Sequence, residues 1–376
     1  MAVQSNLIES SPISQSNFSL SGMEFLRRHG ARRVREFAPQ PELLTDSNPL
    51  AKDEEKVDLD YERPSCNWAP LPLPCEYPHD WAQGPQRFVD GKDVGRTIAW
   101  LQSEDGFPVP IRLAEVGAIA LRVMDNGRGQ KELRREWDKV ERVVAFMADL
   151  FPWHEVEEFA YALQGTGFRL LPVYAGDDEN EGPLNFFDFE SMRKRAGDSS
   201  KNEMLRLERE ALGQDNATPS LVDGSLETHS AGFGQSDPVV GLVKTHSRNY
   251  LNAEGWRTYY QLEPCQRTPA FCVPGRQRRA LDVISWYVRL DGARGELPNY
   301  GVVRVEVPKP FFEDNGKDWT YLDRVSKLIC NYRCRDAGYG RAAISIHPIQ
   351  RAEESLGSLF TQSDTLISRF YHLTGL

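Results

Sequence analysis

Two Val-Asp-Gly segments stand out among the residues that can do chemistry. Asp90 follows the apolar pair Phe88-Val89, and Asp223 follows the apolar pair Leu221-Val222. A hydrophobic strand that ends in a carboxylate fixes that carboxylate, and the glycine after it lets backbone or phosphate come close. Asp-Gly is also a common hairpin turn signal, so either motif alone is more typical of a turn. The pair indicates a metal site only together with further acidic residues.

A third acidic group stands on a predicted helix shortly before the second motif. This segment ends in Arg-Leu-Glu-Arg-Glu and offers Glu208 or Glu210 to a site at Asp223. Glu115 is a competing acid on a neighbouring predicted strand. Three hard carboxylate ligands suit Mg²⁺ or Mn²⁺ rather than zinc. Two such ions about 3.5–4 Å apart are the usual device for hydrolysing phosphodiesters, so the residues predict a metal-dependent nuclease.

Basic and aromatic residues farther along the chain are suited to act on the phosphate. Lys244 ends an apolar run at 239–243, where it can reach a phosphate or lie as a solvated edge-strand lysine. Tyr339 and His347 follow near the end of the sequence. Pro348 predicts a helix that begins at this point. His347 at the start of that helix can bind a metal, relay a proton or serve as a plain surface residue.

Strands and helices are predicted around these residues. Short strands at 87–89, 97–101, 109–113 and 116–124, separated by glycine turns such as Asp105-Gly106, indicate an antiparallel meander. Residues 130–150 have helical periodicity with a charged outer face. The elements predicted after them are a strand at 167–174, a helix at 186–212 with a break near Gly197, strands at 221–223, 239–244, 285–290 and 301–307, a helix at 319–332 and a helical region from 347 onward. Strands followed by mixed helices and strands predict an α/β fold with helices packed on a sheet.

The sequence divides into an N-terminal arm at residues 1–85 and a catalytic domain at residues 86–376. Six prolines between Pro64 and Pro85 exclude regular helix and central strand there. Such a segment is typical of an extended or partly disordered linker, and its tryptophans Trp68 and Trp81 would serve as anchors if it docks a partner. An amphipathic stretch at 22–37 predicts a short helix within the arm.

Composition restricts the classes of function. The net charge of −10 over 376 residues argues against a protein that coats DNA through its phosphates, so any grip on nucleic acid is local or shared with a partner. No run approaches the roughly 20 apolar residues that span a bilayer, and the N-terminus does not resemble a secretory signal, so a cytoplasmic protein with no membrane association is expected. The six cysteines lack the usual zinc-ligand spacing and are expected to be reduced thiols. The absence of a GxxxxGK[ST] loop indicates that the chain has no ATPase of its own.

Taken in order, these motifs resemble a NurA-type nuclease from about residue 87 onward. The shared features are a first Val-Asp-Gly, an Arg-x-Glu helix that leads into Leu-Val-Asp-Gly-Ser-Leu, an apolar strand that ends in lysine, and Tyr-x7-His near the C-terminus. The resemblance implies an α/β, RNase H-like mixed sheet with flanking helices behind the extended N-terminal arm. The roles that it implies are metal carboxylates at Asp90, Glu208 and Asp223, phosphate assistance from Lys244, and a catalytic pocket completed by Tyr339 and by His347, the latter also as a metal ligand.

The resemblance also implies an activity and partners. The activity it implies is that of the family's Mn²⁺-dependent DNA exonucleases and endonucleases, and the carboxylates add the expectation of two ions, with Mg²⁺ as the alternative. These nucleases work as homodimers with a hexameric HerA-type ATPase in DNA end processing, repair or anti-phage defence. Two departures from the family pattern are Lys92, where a small hydroxyl residue is expected, and Ile-His-Pro-Ile around His347. The alternative to an enzyme is a non-catalytic subunit that binds and guides DNA for an ATPase.

Overall fold

The apolar and alternating segments of the sequence form strands in the computed structural model, which describes residues 22–34, 57–76, 81–128, 130–174, 188–245, 249–275, 281–292, 297–336 and 338–376. The strands in these ranges are β1 (Arg32–Arg33), β2 (Leu71–Pro72), β3 (Arg87–Gln102), β4 (Pro108–Asp125), β5 (Lys131–Met147), β6 (Arg169–Val173), β7 (Ser220–Asp223), β8 (Val239–Val243), β9 (Gln266–Arg267), β10 (Phe271–Val273), β11 (Val283–Arg289) and β12 (Val302–Pro308).

Helices flank these strands. The helices in the same ranges are α1 (Phe25–Arg28), α2 (Trp153–Leu163), α3 (Phe189–Leu212), α4 (Leu226–His229), α5 (Ala253–Gln261), α6 (Lys309–Asp314), α7 (Trp319–Asn331), α8 (His347–Gly357) and α9 (Ser363–Thr374). Side-chain caps begin the longer ones where the sequence supplies an oxygen, as when Asp188 accepts a hydrogen bond at the start of α3 and Asp318 at the start of α7.

The strands form one mixed sheet in the order β2-β9-β11-β12-β8-β7-β3-β4-β5-β6, with β1 added on β3 and β10 on β11. β3, β4 and β5 are an antiparallel meander. β7 then pairs parallel to β3, and β8 pairs parallel to β7. The prediction of an α/β fold with a mixed sheet and flanking helices is confirmed.

Alternate residues of the central strands pack on opposite faces of the sheet. On one face Phe88 and Leu221 join a buried cluster with Leu322 of α7. On the other face Val89 and Val222 join a cluster that includes the end of α3. Because successive side chains of a strand point to opposite faces, Asp90 of β3 lies on the same face as Phe88.

The prediction that glycine turns divide the first strands is wrong for the first Asp-Gly motif. Asp90 and Gly91 lie inside β3, where they pair with Ile119 and Ala118 of β4. Gly91 does not have a positive φ, so its backbone continues the strand. The second predicted turn, at Asp105-Gly106, is confirmed, since Gly106 has a φ of +86° between β3 and β4.

The helix predicted at 130–150 is wrong, because these residues form the 17-residue strand β5. The strand pairs antiparallel with β4 from Lys131 opposite Asp125 to Ala145 opposite Arg112. The loop between the two strands contains Asn126-Gly127, a hairpin signal, and Gly127 has a φ of +75°. Pairing along the whole length of β4 outweighs the helical spacing of the apolar residues.

Downstream of β5 the predicted elements are confirmed, with one change. α3 runs without interruption through Gly197 instead of breaking there. The strands predicted at 167–174, 221–223, 239–244, 285–290 and 301–307 correspond to β6, β7, β8, β11 and β12. None of the helices in the described residues is both long and apolar enough to cross a membrane.

Parts of the predicted N-terminal arm pack on the sheet. Phe25 and Leu26 of α1 are fully buried against the far end of the meander, and β1 pairs with β3. Farther along, Glu62 forms a two-pronged ion pair with the buried Arg267 of β9. Residues 1–21, 35–56 and 77–80 of the arm lie outside the described residues.

Candidate active site

The two aspartates of the Val-Asp-Gly segments lie next to each other on parallel strands. The register pairs Phe88 with Leu221 and Val89 with Val222, so Asp90 and Asp223 are the next two positions along β3 and β7. β7 ends at Asp223, and Gly224 turns the chain away with a φ of +134°, whereas β3 continues for twelve more residues. The carboxyl end of a parallel strand beside a diverging neighbour is the usual place for a site in an α/β sheet.

Helix α3 brings Glu208 to the same place. Glu208 is 2% exposed, between the buried apolar residues Leu207 and Ala211. Its carboxylate lies directly against Gly91, because a Cβ at that position would be 2.6 Å from Glu208 Oε1. The glycine of the first motif therefore makes room for a carboxylate from a helix.

The end of α3 is fixed to β3 by Arg87, which sequence reasoning did not single out. The buried guanidinium donates through Nη1 to the carbonyl of Leu212 at 3.2 Å and through Nη2 to that of Ala211. Its Nε pairs with Glu136 of β5 at 2.6 Å. A cation at the C-terminal end of a helix satisfies carbonyls that have no partner in the helix. Arg87 thus sets the position of the helical turn that carries Glu208.

Lys244 follows β8 and contacts the second aspartate. Its Nζ donates to Asp223 Oδ2 at 2.7 Å, and its side chain is only 8% exposed. Lys244 is therefore not a solvated edge lysine. The pair places a positive charge beside the carboxylates of the site.

His229 is a second cationic partner that sequence reasoning missed. Its Nε2 is 2.9 Å from Glu208 Oε2, and its Nδ1 is 2.7 Å from the carbonyl oxygen of Ser225. Burial alone would lower the pKa of His229, but the hydrogen bond and the charge of Glu208 outweigh burial and raise it. The available signal was a histidine four residues after Ser225, which caps the short helix α4.

A fourth carboxylate comes from α8, and sequence reasoning missed it too. The Tyr339 hydroxyl donates to Glu353 Oε2 at 2.6 Å. Burial, and then this hydrogen bond to Glu353, raise the pKa of Tyr339. Glu353 also acts electrostatically on Asp90. The predicted Tyr339 thus lies beside the site, where it holds an acid that the sequence motifs did not mark.

Asp90 is the carboxylate on which the other acids of the site act electrostatically. It is 6% exposed and makes no hydrogen bond to another described residue, and its oxygens are not among the fully buried polar atoms that lack a partner. Burial, and then the negative charge of Asp223, raise the pKa of Asp90 well above its ordinary value. Lys244 acts in the opposite direction, and Glu208 and Glu353 raise the pKa further. A buried, unpartnered carboxylate beside other acids is costly unless a cation compensates it.

Other candidates lie apart from this cluster. Glu210 is engaged with Lys139 at 3.1 Å and with Arg206, and Glu115 is held by Arg142 at 2.9 Å. The structure thus brings Glu208, rather than either alternative acid, to Asp90.

His347 begins α8, and Lys92 of β3 lies beside the other end of this helix. His347 is exposed at the first residue of the helix, in a surface groove with Arg333, Arg335 and Gln350. The structure does not bring it into contact with the carboxylates. The ammonium of Lys92 lies near Gly357, 3.4 Å from where a Cβ on that glycine would be. The end of a helix favours a positive charge.

Within the described residues, no group of three or more Asp, Glu, His or Cys side chains is arranged so that it could hold a metal ion. Glu208, Asp223 and Glu353 each bind a partner within the protein instead. The donors are nonetheless oxygens of the kind that Mg²⁺ and Mn²⁺ prefer, and Asp90 is largely buried without a hydrogen bond to another described residue. The chemistry of these donors, though not their present spacing, therefore suits a hard divalent cation. The cysteines are free and take no part in the site.

Comparison with known proteins gives no relative from which a role can be transferred. No protein-family model matches the sequence, and a search of curated proteins found no match.

Proposed function

We propose that the protein is a metal-dependent deoxyribonuclease whose centre is Asp90. The observation that carries the proposal is the largely buried carboxylate of Asp90, which makes no hydrogen bond to another described residue and on which Asp223, Glu208 and Glu353 act. Like charges held this close destabilise the fold unless a cation neutralises them. A protein that only binds DNA has no use for clustered acids facing a phosphate.

The charges around Asp90 favour one divalent ion in the free protein. Lys244 and His229 already pair with Asp223 and Glu208, which leaves the charges of Asp90 and Glu353 to be balanced. A divalent ion held there would balance them, with Asp90 as an ionised ligand. A two-metal site would hold a second ion of the same kind.

Asp90, Asp223, Glu208 and Glu353 would hold the metal. Bound divalent ions activate water and stabilise the leaving oxygen in phosphodiester hydrolysis. Lys244 keeps a positive charge beside Asp223, where a phosphate oxygen would be attracted. Tyr339 orients Glu353 through its hydroxyl. His347 remains a candidate through the family resemblance alone.

The RNase H-like architecture and the NurA-type assignment are part of this proposal. Support comes from the order β5-β4-β3-β7-β8, in which three antiparallel strands are followed by two strands parallel to the first. Further support is that acids from α3 and β7, Glu208 and Asp223, act on Asp90 of β3. A homodimer and a HerA-type ATPase as partner follow from the resemblance. The rival function is a DNA-guiding subunit without catalysis, which the net charge of −10 and Lys92 favour.

The test is cleavage of end-labelled linear DNA by the purified protein with Mn²⁺, with Mg²⁺ or with EDTA. We expect metal-dependent degradation that Asp223→Ala and Glu208→Gln abolish. Glu210→Gln is the matched control, because Glu210 is the next acid on the same helix and pairs with Lys139 instead. Equal activity of the Glu208 and Glu210 variants would reject the site. No cleavage by the wild type, alone or with a HerA-type ATPase, would leave the DNA-guiding function.

A further inference from the structure

His229 lies between two hydrogen-bond acceptors. Its Nδ1 faces the Ser225 carbonyl oxygen at 2.7 Å, and its Nε2 faces Glu208 Oε2 at 2.9 Å. Thr228 Oγ1 is also 3.0 Å from Nδ1, but its hydroxyl donates to the same Ser225 carbonyl at 2.8 Å. A carbonyl and an ionised carboxylate can only accept, so Nδ1 donates to Ser225 and Nε2 donates to Glu208, which requires the imidazolium form of the ring. At 1% exposure, no water competes for the ring.

The turn that carries His229 is itself fixed by hydrogen bonds to a residue of strand β12. Glu306 of β12 accepts from the Leu226 amide at 2.8 Å and from the Ser225 hydroxyl at 3.1 Å. Glu306 is 2% exposed and is paired with Arg304 at 2.8 Å. Since Ser225 in turn accepts from His229, the contacts run without a gap from β12 through the turn to Glu208.

Both glycines of the Val-Asp-Gly segments make room for this pair. A Cβ on Gly224 would lie 3.2 Å from the His229 ring, at a backbone φ of +134° that disfavours any side chain. A Cβ on Gly91 would lie 2.6 Å from Glu208 Oε1. Glu208 therefore binds His229 through Oε2, whereas its Oε1 lies against Gly91, the residue that follows Asp90 in β3.

We propose that His229 is the positioning residue of the site, which holds Glu208 by Oε2 and leaves Oε1, which lies against Gly91, available to a divalent cation. The metal-directed part rests on the proposed function, whereas the contact itself does not. His229 also links α3 to the segment that follows β7, because its ring contacts both Glu208 and the Ser225 carbonyl oxygen. Groups that orient a metal ligand in this way are commonly needed for tight binding.

The first experiment compares His229→Gln with His229→Leu by Mn²⁺ affinity, measured from the electron paramagnetic resonance signal of free Mn²⁺. We expect the leucine variant to bind Mn²⁺ about 10–100-fold more weakly than wild type. The glutamine variant should recover most of the affinity, because its amide can still donate to Glu208. His372→Leu, an exposed histidine on α9, is the control and should bind as wild type does. Equal affinities of the glutamine and leucine variants would overturn the proposal.

The second experiment is a double-mutant cycle of His229→Leu and Glu208→Gln in metal-free protein, measured by urea unfolding. If His229 holds Glu208, the double variant loses less stability than the two single variants lose together. Additive losses would overturn the proposal, whether or not the protein cleaves DNA. If the leucine variant does not fold, His229→Asn replaces it, because its amide is too short to reach Glu208. A wild type that binds no Mn²⁺ would overturn the proposed function and the metal-directed part, while the cycle still decides the contact.

Discussion

Replacing Gly91 by alanine should separate the stability of the fold from the activity of the site. The new Cβ would lie 2.6 Å from Glu208 Oε1, 2.7 Å from Cδ and 2.8 Å from Cγ. Carbon atoms prefer separations of about 3.5–4.0 Å, so the carboxylate must retreat by roughly 1 Å. Overpacking of this kind costs about 1–3 kcal/mol, and the lower chain entropy of alanine in the unfolded state returns about 0.4–1 kcal/mol. The backbone itself accepts alanine, because Gly91 does not have a positive φ.

We therefore expect Gly91→Ala to lower the free energy of unfolding by about 1–2 kcal/mol, which leaves the protein folded. A 1 Å displacement of a reacting or ligating group costs about 10²-fold, so single-turnover DNA cleavage should fall by about that factor. The assays are urea unfolding and cleavage at saturating Mn²⁺.

Gly197→Ala is the matched control for this variant. Gly197 lies on the same helix as Glu208, and a Cβ there meets nothing within 4 Å. It should add about 0.8–1 kcal/mol of stability and leave cleavage unchanged. Wild-type cleavage by Gly91→Ala would refute the reasoning, because Glu208 would then not need the place that the glycine gives it.

Three further predictions follow from the described contacts. Burial raises the pKa of Asp90, so the metal-free protein should lose stability as pH rises through that raised pKa. Asp90→Asn should flatten this pH dependence of the free energy of unfolding, measured with urea. If wild type and Asp90→Asn show the same pH dependence, the result would count against the buried charge. Arg267→Met removes the cationic partner of the buried Glu62 carboxylate, which keeps only the Ala270 amide, and should cost about 3–5 kcal/mol in urea unfolding; a loss below about 1 kcal/mol would show that the pair contributes little. Glu353→Gln should weaken Mn²⁺ binding in calorimetric titration and His347→Ala should not, since of these two residues only Glu353 acts on Asp90. The reverse result would return His347 to the metal site.

Much of the candidate site could be predicted from the sequence because its residues occur in recognisable local patterns. Asp90 and Asp223 end apolar runs, and an apolar run that becomes a buried strand places the following residue at a defined point. Lys244 is predictable for the same reason. The choice of Glu208 over Glu210 was not predictable from the local pattern, because it depends on which side of α3 faces β3.

The residues that sequence reasoning missed act across long distances in the chain. Glu353 reaches Asp90 only because α8 packs against β3, and Arg87 meets the end of α3 about 125 residues later. No local pattern marks such contacts. The error at β5 has a related cause: the spacing of its apolar residues is helical, but a partner strand of 18 residues was available to pair with it.

The cluster that buries Phe25 also contains Leu366, Ile367 and Phe370 of α9, and Arg33 lies over the ring of Tyr371 at 4.4 Å. Residues near both ends of the sequence therefore complete the same part of the interior. On a ribosome, Phe25 would emerge about 340 residues before these partners, which at 5–20 residues per second is on the order of 20–70 s. During that time the cluster lacks the side chains of α9, so the apolar residues that α9 covers stay exposed on the growing chain, and a chaperone would be expected to bind there during synthesis.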